Sequence, residues 1–177
     1  STSSGFQVAA CPSGMGKMVS LGILDMNDHR VKQMVSAGLR YLDEQMFEDF
    51  TRIKQKHENY LNERHISRTH IQYLYARSFF LEDYYFLEKH KEAFKYFKEQ
   101  ARKYWTGEDK FLQGMIALAM HRMGEQEISL AVMASIKEHA LYDDEMGMYW
   151  SDRAGYYWYE APIETQALLI EAFDEII

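Results

Sequence analysis

Phe111-Leu-Gln-Gly-Met-Ile-Ala-Leu-Ala-Met-His-Arg-Met123 is the stretch that settles the fold class. Leu112, Met115, Ile116, Ala117, Leu118, Ala119 and Met120 leave almost no polar face, as expected of a helix covered on most sides, and Gly124 supplies its stop. The same template returns twice, as Gln72-Tyr-Leu-Tyr-Ala-Arg-Ser-Phe79 and Gln166-Ala-Leu-Leu-Ile-Glu-Ala-Phe173. Between these segments lie helices with one wet face. Alternation of sheathed and half-polar helices predicts an inner and an outer layer of helical hairpins stacked side by side, the plan of an α/α toroid or solenoid.

Outward from that stretch, the spacing of Val31, Met34, Val35, Leu39, Leu42, Met46, Phe50 and Ile53 predicts one long amphipathic helix over roughly 28–56, capped by Asn27. Ser67 reads as the cap of a second helix carrying Ile71, Leu74, Tyr75, Ser78 and Phe79. A third runs over about 86–105 through Ala93, Phe94, Phe97, Ala101 and Tyr104, and a fifth over about 126–140 through Ile128, Ala131, Val132, Ser135 and Ile136. Pro162 opens a sixth, since proline suits the first turn, where its missing N–H is no loss. The expectation is an all-α chain of about six helices, with residues 1–26 irregular and 27–177 a single α/α helical domain. Near 146–160 a short aromatic ribbon or loop is expected, in which Met148-Tyr-Trp-Ser pairs with Tyr156-Tyr-Trp-Tyr.

The composition narrows the function. A chain of 177 residues, 47% hydrophobic and 27% charged, can bury a true core and is neither disordered nor collagen-like. A formal charge of -7 lacks the electrostatic footprint of a nucleic-acid or anionic-membrane binder. No apolar run is long enough to insert in a bilayer, and Ser1-Thr-Ser-Ser-Gly5 has neither the basic nor the apolar region of a signal peptide. The single cysteine, Cys11, rules out an internal disulfide.

Cys11-Pro-Ser-Gly-Met-Gly-Lys17 has the ingredients of an anion-cradling loop but not the pattern: a P-loop needs glycine where Cys11 stands and a hydroxyl where Met18 stands, and a phosphatase loop needs arginine in place of Lys17. None of His29, His57, His65, His70, His90, His121 and His139 forms the i, i+4 pair that sets two zinc ligands on one helix face. His65 and His70 stand five apart across a helix start, where capping and solvation suit them better than a shared ion. No metal site, cofactor or catalytic residue is expected. The segment 143–160 is the densest in aromatics and carboxylates, the materials of a sugar cleft, in which rings stack on the substrate and two acids face each other. Trp150, Asp152, Tyr157, Trp158, Glu160 and Glu164 form the candidate ligand or partner surface. The alternative for the same rings is a structural ribbon covering helix ends.

Leu39-Arg-Tyr-Leu-Asp-Glu-Gln45, Gln72–Phe79, Ala117-Leu-Ala-Met-His-Arg-Met-Gly124, Gly147-Met-Tyr-Trp150 and above all Tyr157-Trp-Tyr-Glu-Ala-Pro-Ile-Glu-Thr-Gln-Ala-Leu-Leu-Ile-Glu-Ala-Phe173 resemble the large alpha-2-macroglobulin family proteins of Bacteroides-type bacteria. The likeness runs from about residue 16 to the end, in the later part of the helical thioester-type domain, an α/α toroid. The resemblance implies a non-enzymatic structural and interaction module of an exported, extracytoplasmic protein concerned with protease trapping or surface defence. Its implied partners are the rest of the parent chain, which precedes residues 1–26, and proteases as prey. Family members that capture prey covalently carry Cys-x-Glu-Gln. Here Pro12, Ser13 and Gly14 follow Cys11, and Glu164-Thr-Gln166 has no cysteine three residues before its glutamine, so no thioester is expected in these residues. The alternative is a carbohydrate-active α/α toroid using the loop 143–164. A peptide-binding helical solenoid is a third reading.

Overall fold

Asp28, rather than Asn27, caps the first long helix. Its backbone is extended and its carboxylate accepts from Arg30 N at 2.8 Å, while Asn27 N donates to Asp25 Oδ1 one turn earlier. The structure, a computed structural model, describes residues 14–82, 84–145, 147–150 and 162–177, and it is all-α apart from one two-stranded ribbon.

Residues 14–20 are helical (α1) inside the stretch expected to be irregular, because Met15 has an apolar seat to fill, in a cluster with Val35, Leu39 and Phe80. Helix α2 is His29–Lys56 and buries Val35, Leu39, Leu42, Asp43, Met46 and Phe50. Met34, expected on that stripe, faces outward at 59% exposure. Helix α3 is Arg68–Ser78 and α4 is Glu88–Tyr104. At the start of α3 the Ser67 N–H donates to His70 Nδ1 at 3.1 Å, which satisfies a donor that a helix start leaves orphaned and fixes the imidazole proton on Nε2. Helices α2 and α3 each pack on α4 as well as on each other.

The chain divides into two compact units, residues 1–104 and 105–177. In the second unit, a 3₁₀ turn Trp105–Gly107 leads into α5, Lys110–Arg122, capped by Asp109 Oδ1 on Leu112 N at 2.8 Å. Every residue from Leu112 to Met120 is buried, as the apolar run predicts. Helices α6, Gln126–Glu138, and α7, Pro162–Ile176, both pack on α5. Gly114 lets α7 pack tightly on α5, since a Cβ there would lie 2.9 Å from Leu169 Cδ2.

A ribbon that the sequence reading did not include precedes Trp150. β1, Leu141–Asp143, pairs antiparallel with β2, Gly147–Tyr149, so that Leu141 faces Tyr149 and Tyr142 faces Met148. Only residues 144–146 separate the two strands, and Gly147, at φ 73°, permits the tight return. Residues 156–159, the expected partner, lie outside the described residues.

Candidate functional site

On α2, Asp43 occupies a position of the apolar stripe between Leu39, Leu42 and Met46, so the helix carries its carboxylate into the core. On α3, Arg77 sits in a run of buried residues for the same reason and is 1% exposed. The two meet as an ion pair: Arg77 Nε lies 3.3 Å from Asp43 Oδ1, the oxygen to which the Tyr73 hydroxyl donates at 2.8 Å. The guanidinium donates further to the carbonyls of Phe80, at 2.8 Å, and Tyr84, at 2.7 Å, and its carbon lies 3.8 Å from the Phe86 ring centroid. From α4, buried His90 reaches Glu44 Oε2 at 2.9 Å, and Lys89 donates to the same oxygen at 2.6 Å.

Burial pushes the Asp43 carboxyl above its usual range, and the opposing pull of Arg77 and the Tyr73 hydrogen bond does not cancel it. Glu44, open to water, is held below its ordinary value by its bonds to Lys89 and His90. A cavity of about 110 Å³ lies over Asp43, Arg77 and His90. Ser36, Arg40 and Tyr84 line both that cavity and an open cleft of about 700 Å³ reaching His29 and Lys32 along α2. Both terminal nitrogens of the guanidinium are spent on carbonyls of the segment between α3 and α4, so the arrangement pins α2, α3 and the segment leading into α4 together.

Two phenols of this unit set an alkaline limit on it. Burial, with Asp43 alongside, drives the Tyr73 phenol well above its ordinary value, and burial with neighbouring Tyr104, Tyr60 and Glu63 pushes Tyr96 up to about 12. In both the folded pKa exceeds the unfolded one, so the folded state prefers the neutral phenol. That contribution is complete below pH 10 and lost as pH rises through about 12 for Tyr96. Urea midpoints measured across this window should fall steeply, and Tyr96→Phe should flatten the fall. An equally steep profile in that variant would show that Tyr96 is not one of the groups responsible.

His70 takes the capping role expected of it, accepting from Ser67 N, and is buried with its ring stacked on Phe97 at 3.9 Å between centroids. His65 instead converges with His57 and Glu63, their ligand atoms all within 4.8 Å of one another. Sequence spacing missed this group because its geometry depends on how residues 57–66 turn.

Of the candidate surface, Trp150 lies in the core at 4% exposure and Glu164 is exposed on the first turn of α7. Asp152, Tyr157, Trp158 and Glu160, like Cys11, lie outside the described residues. The Trp150 indole N–H donates to Ile136 O at 2.8 Å, its ring stacks on Phe173 at 5.6 Å, and Gln166 grips its backbone on both sides, Nε2 to Trp150 O at 2.6 Å and Oε1 to Trp150 N at 3.3 Å. The repeated glutamine does similar work on α5, where Gln113 Nε2 donates to Glu108 O at 3.0 Å. Among the described residues no helix is long and apolar enough to cross a membrane. No family model, curated protein or solved structure matches the chain.

Proposed function

We propose that this chain is a non-enzymatic structural and interaction module, part of the helical toroid of an extracytoplasmic alpha-2-macroglobulin-like protein engaged in protease trapping or surface defence. The observation that carries the non-enzymatic half is the position of Trp150. The ring that a sugar cleft would present to its ligand is spent on Phe173 and on a carbonyl at the end of α6. Asp144 and Glu145 are exposed, and Glu164 is solvated on a helix N-terminus, where the dipole suits a carboxylate without catalysis. The buried acid elsewhere, Asp43, is matched by an arginine and a tyrosine. The parent role rests on the resemblance of the helices and of Tyr157–Phe173.

The test is to offer the purified chain to active endopeptidases and to a panel of polysaccharides in parallel. Expected is saturable binding to an endopeptidase that still cleaves small peptide substrates, with no release of reducing sugar. Glycan hydrolysis abolished by Glu164→Gln would overturn the proposal in favour of the carbohydrate-active alternative.

A further inference from the structure

Residues 57–66, between α2 and α3, fold back on themselves through two successive turns, with Tyr60 N donating to His57 O at 3.3 Å and Asn62 N to Asn59 O at 2.8 Å. The fold-back brings the C-cap residue of α2, His57, against His65, with ring centroids 4.5 Å apart, and sets Glu63 between them. Glu63 Oε2 lies 3.0 Å from His57 Nδ1 and 3.4 Å from His65 Nε2.

Helix α4 holds this loop in place from three successive turns. The Tyr96 hydroxyl donates to Tyr60 O at 3.1 Å and the Tyr104 hydroxyl to Asn62 O at 2.9 Å. Between them Gln100, 3% exposed, accepts from His65 N at 2.8 Å and donates to Glu63 O at 3.0 Å. One buried amide thus fixes the backbone of two of the three converging residues, the kind of outer support that orients metal ligands. A further observation points to a ligand. His65 Nε2 is shut off from solvent yet makes no hydrogen bond, its approach to Glu63 lacking the required alignment, and a buried polar atom without a partner is costly.

We propose that His57 Nδ1, Glu63 Oε2 and His65 Nε2 bind one divalent first-row transition-metal ion of the zinc type. Ligands about 2.0 to 2.1 Å from a tetrahedral ion stand roughly 3.4 Å apart; the two edges to Glu63 are 3.0 and 3.4 Å, and the third lies within 4.8 Å. Two imidazoles and a carboxylate are a donor set that zinc accepts, with the fourth position left to water. His57 and Glu63 side chains are 43% and 47% exposed, so an ion has a path in, while His65 at 13% forms the floor. The ion ties the end of α2 to the residues that lead into α3.

The experiment uses the untagged full chain, stripped with a chelator and titrated with Zn²⁺ by calorimetry, with Co²⁺ absorption reporting the coordination geometry. Expected are one saturable ion per chain, a higher unfolding temperature in its presence, and visible Co²⁺ bands of tetrahedral intensity. His57→Gln and Glu63→Gln, both at solvent-exposed side chains and so compatible with folding, should each weaken binding by more than the roughly 10- to 100-fold typical of losing an outer-shell partner. His29→Gln and His139→Gln should leave it unchanged. Absence of saturable binding overturns the proposal, and so does undiminished affinity in the His57→Gln/Glu63→Gln double variant.

Discussion

Arg77→Met should cost about 3–5 kcal/mol of unfolding free energy, the range for breaking a buried ion pair from one side. The variant keeps the length and apolar stem of the side chain, so the loss falls on the polar head. It strands the Asp43 carboxyl in the core with only the Tyr73 hydroxyl for company, and it leaves the carbonyls of Phe80 and Tyr84 without the guanidinium donors they have now. The contact with the Phe86 face goes as well. Asp43→Asn is the milder change, since the amide oxygen still accepts from Tyr73. Replacing both partners, as Asp43→Leu with Arg77→Met, should recover part of the loss, because apolar groups carry no desolvation penalty. Urea unfolding of the unaltered protein, Asp43→Leu, Arg77→Met and the double variant checks this as a double-mutant cycle, and a loss below about 1 kcal/mol for Arg77→Met would place the pair among ordinary surface bridges. Its pH dependence has a definite sign. The folded pKa of Asp43 is raised, so its share of stability is complete at pH below the ordinary carboxylate value and declines as pH rises through the folded one. Asp49 runs the other way: its hydrogen bond from His70 holds the carboxylate low, so its share is present above the ordinary value and lost as pH falls through the folded one.

Trp150→Ala should be comparably damaging in the second unit, about 3–5 kcal/mol, as expected when a large buried aromatic is truncated. The removed ring fills space against Phe173, and its N–H does a further job. Ile136 is among the last four residues of α6, whose carbonyls have no partner within the helix, and the indole donates to it. Trp150→Phe separates the two contributions. It retains most of the buried ring and should lose only about 1–3 kcal/mol, the penalty of a buried acceptor left unmet. Thermal or urea unfolding distinguishes these outcomes. Unchanged stability in Trp150→Ala together with loss of glycan binding would return the tryptophan to the role of a ligand platform.

The helices were legible because their signal is local. Three- and four-residue recurrence placed α2 through α7 within a few residues, and Gly124, at φ 79°, follows α5 as expected. Where neighbours along the chain compete for one task, the sequence pointed to the wrong candidate: Asn27 and Asp28 are both good caps, and the charged one took the position. The site residues were harder. Asp43 on an apolar stripe and Arg77 within a buried run were visible anomalies, each a charge that needs a partner, yet nothing local says that they partner each other. His57 and His65 belong to a turn whose path is set by Gln100, Tyr96 and Tyr104, residues more than thirty positions further along.

By itself the sequence determined the all-α class, the order of the helices, and which of them are sheathed, because hydrophobic periodicity is a property of each segment alone. Tertiary structure decided which polar groups meet: Asp43 with Arg77, the Trp150 indole with the end of α6, His57 with His65 across Glu63. A hydrogen bond or ion pair depends on distances of a few ångström between residues far apart in sequence, and those distances exist only once the apolar faces have chosen their partners.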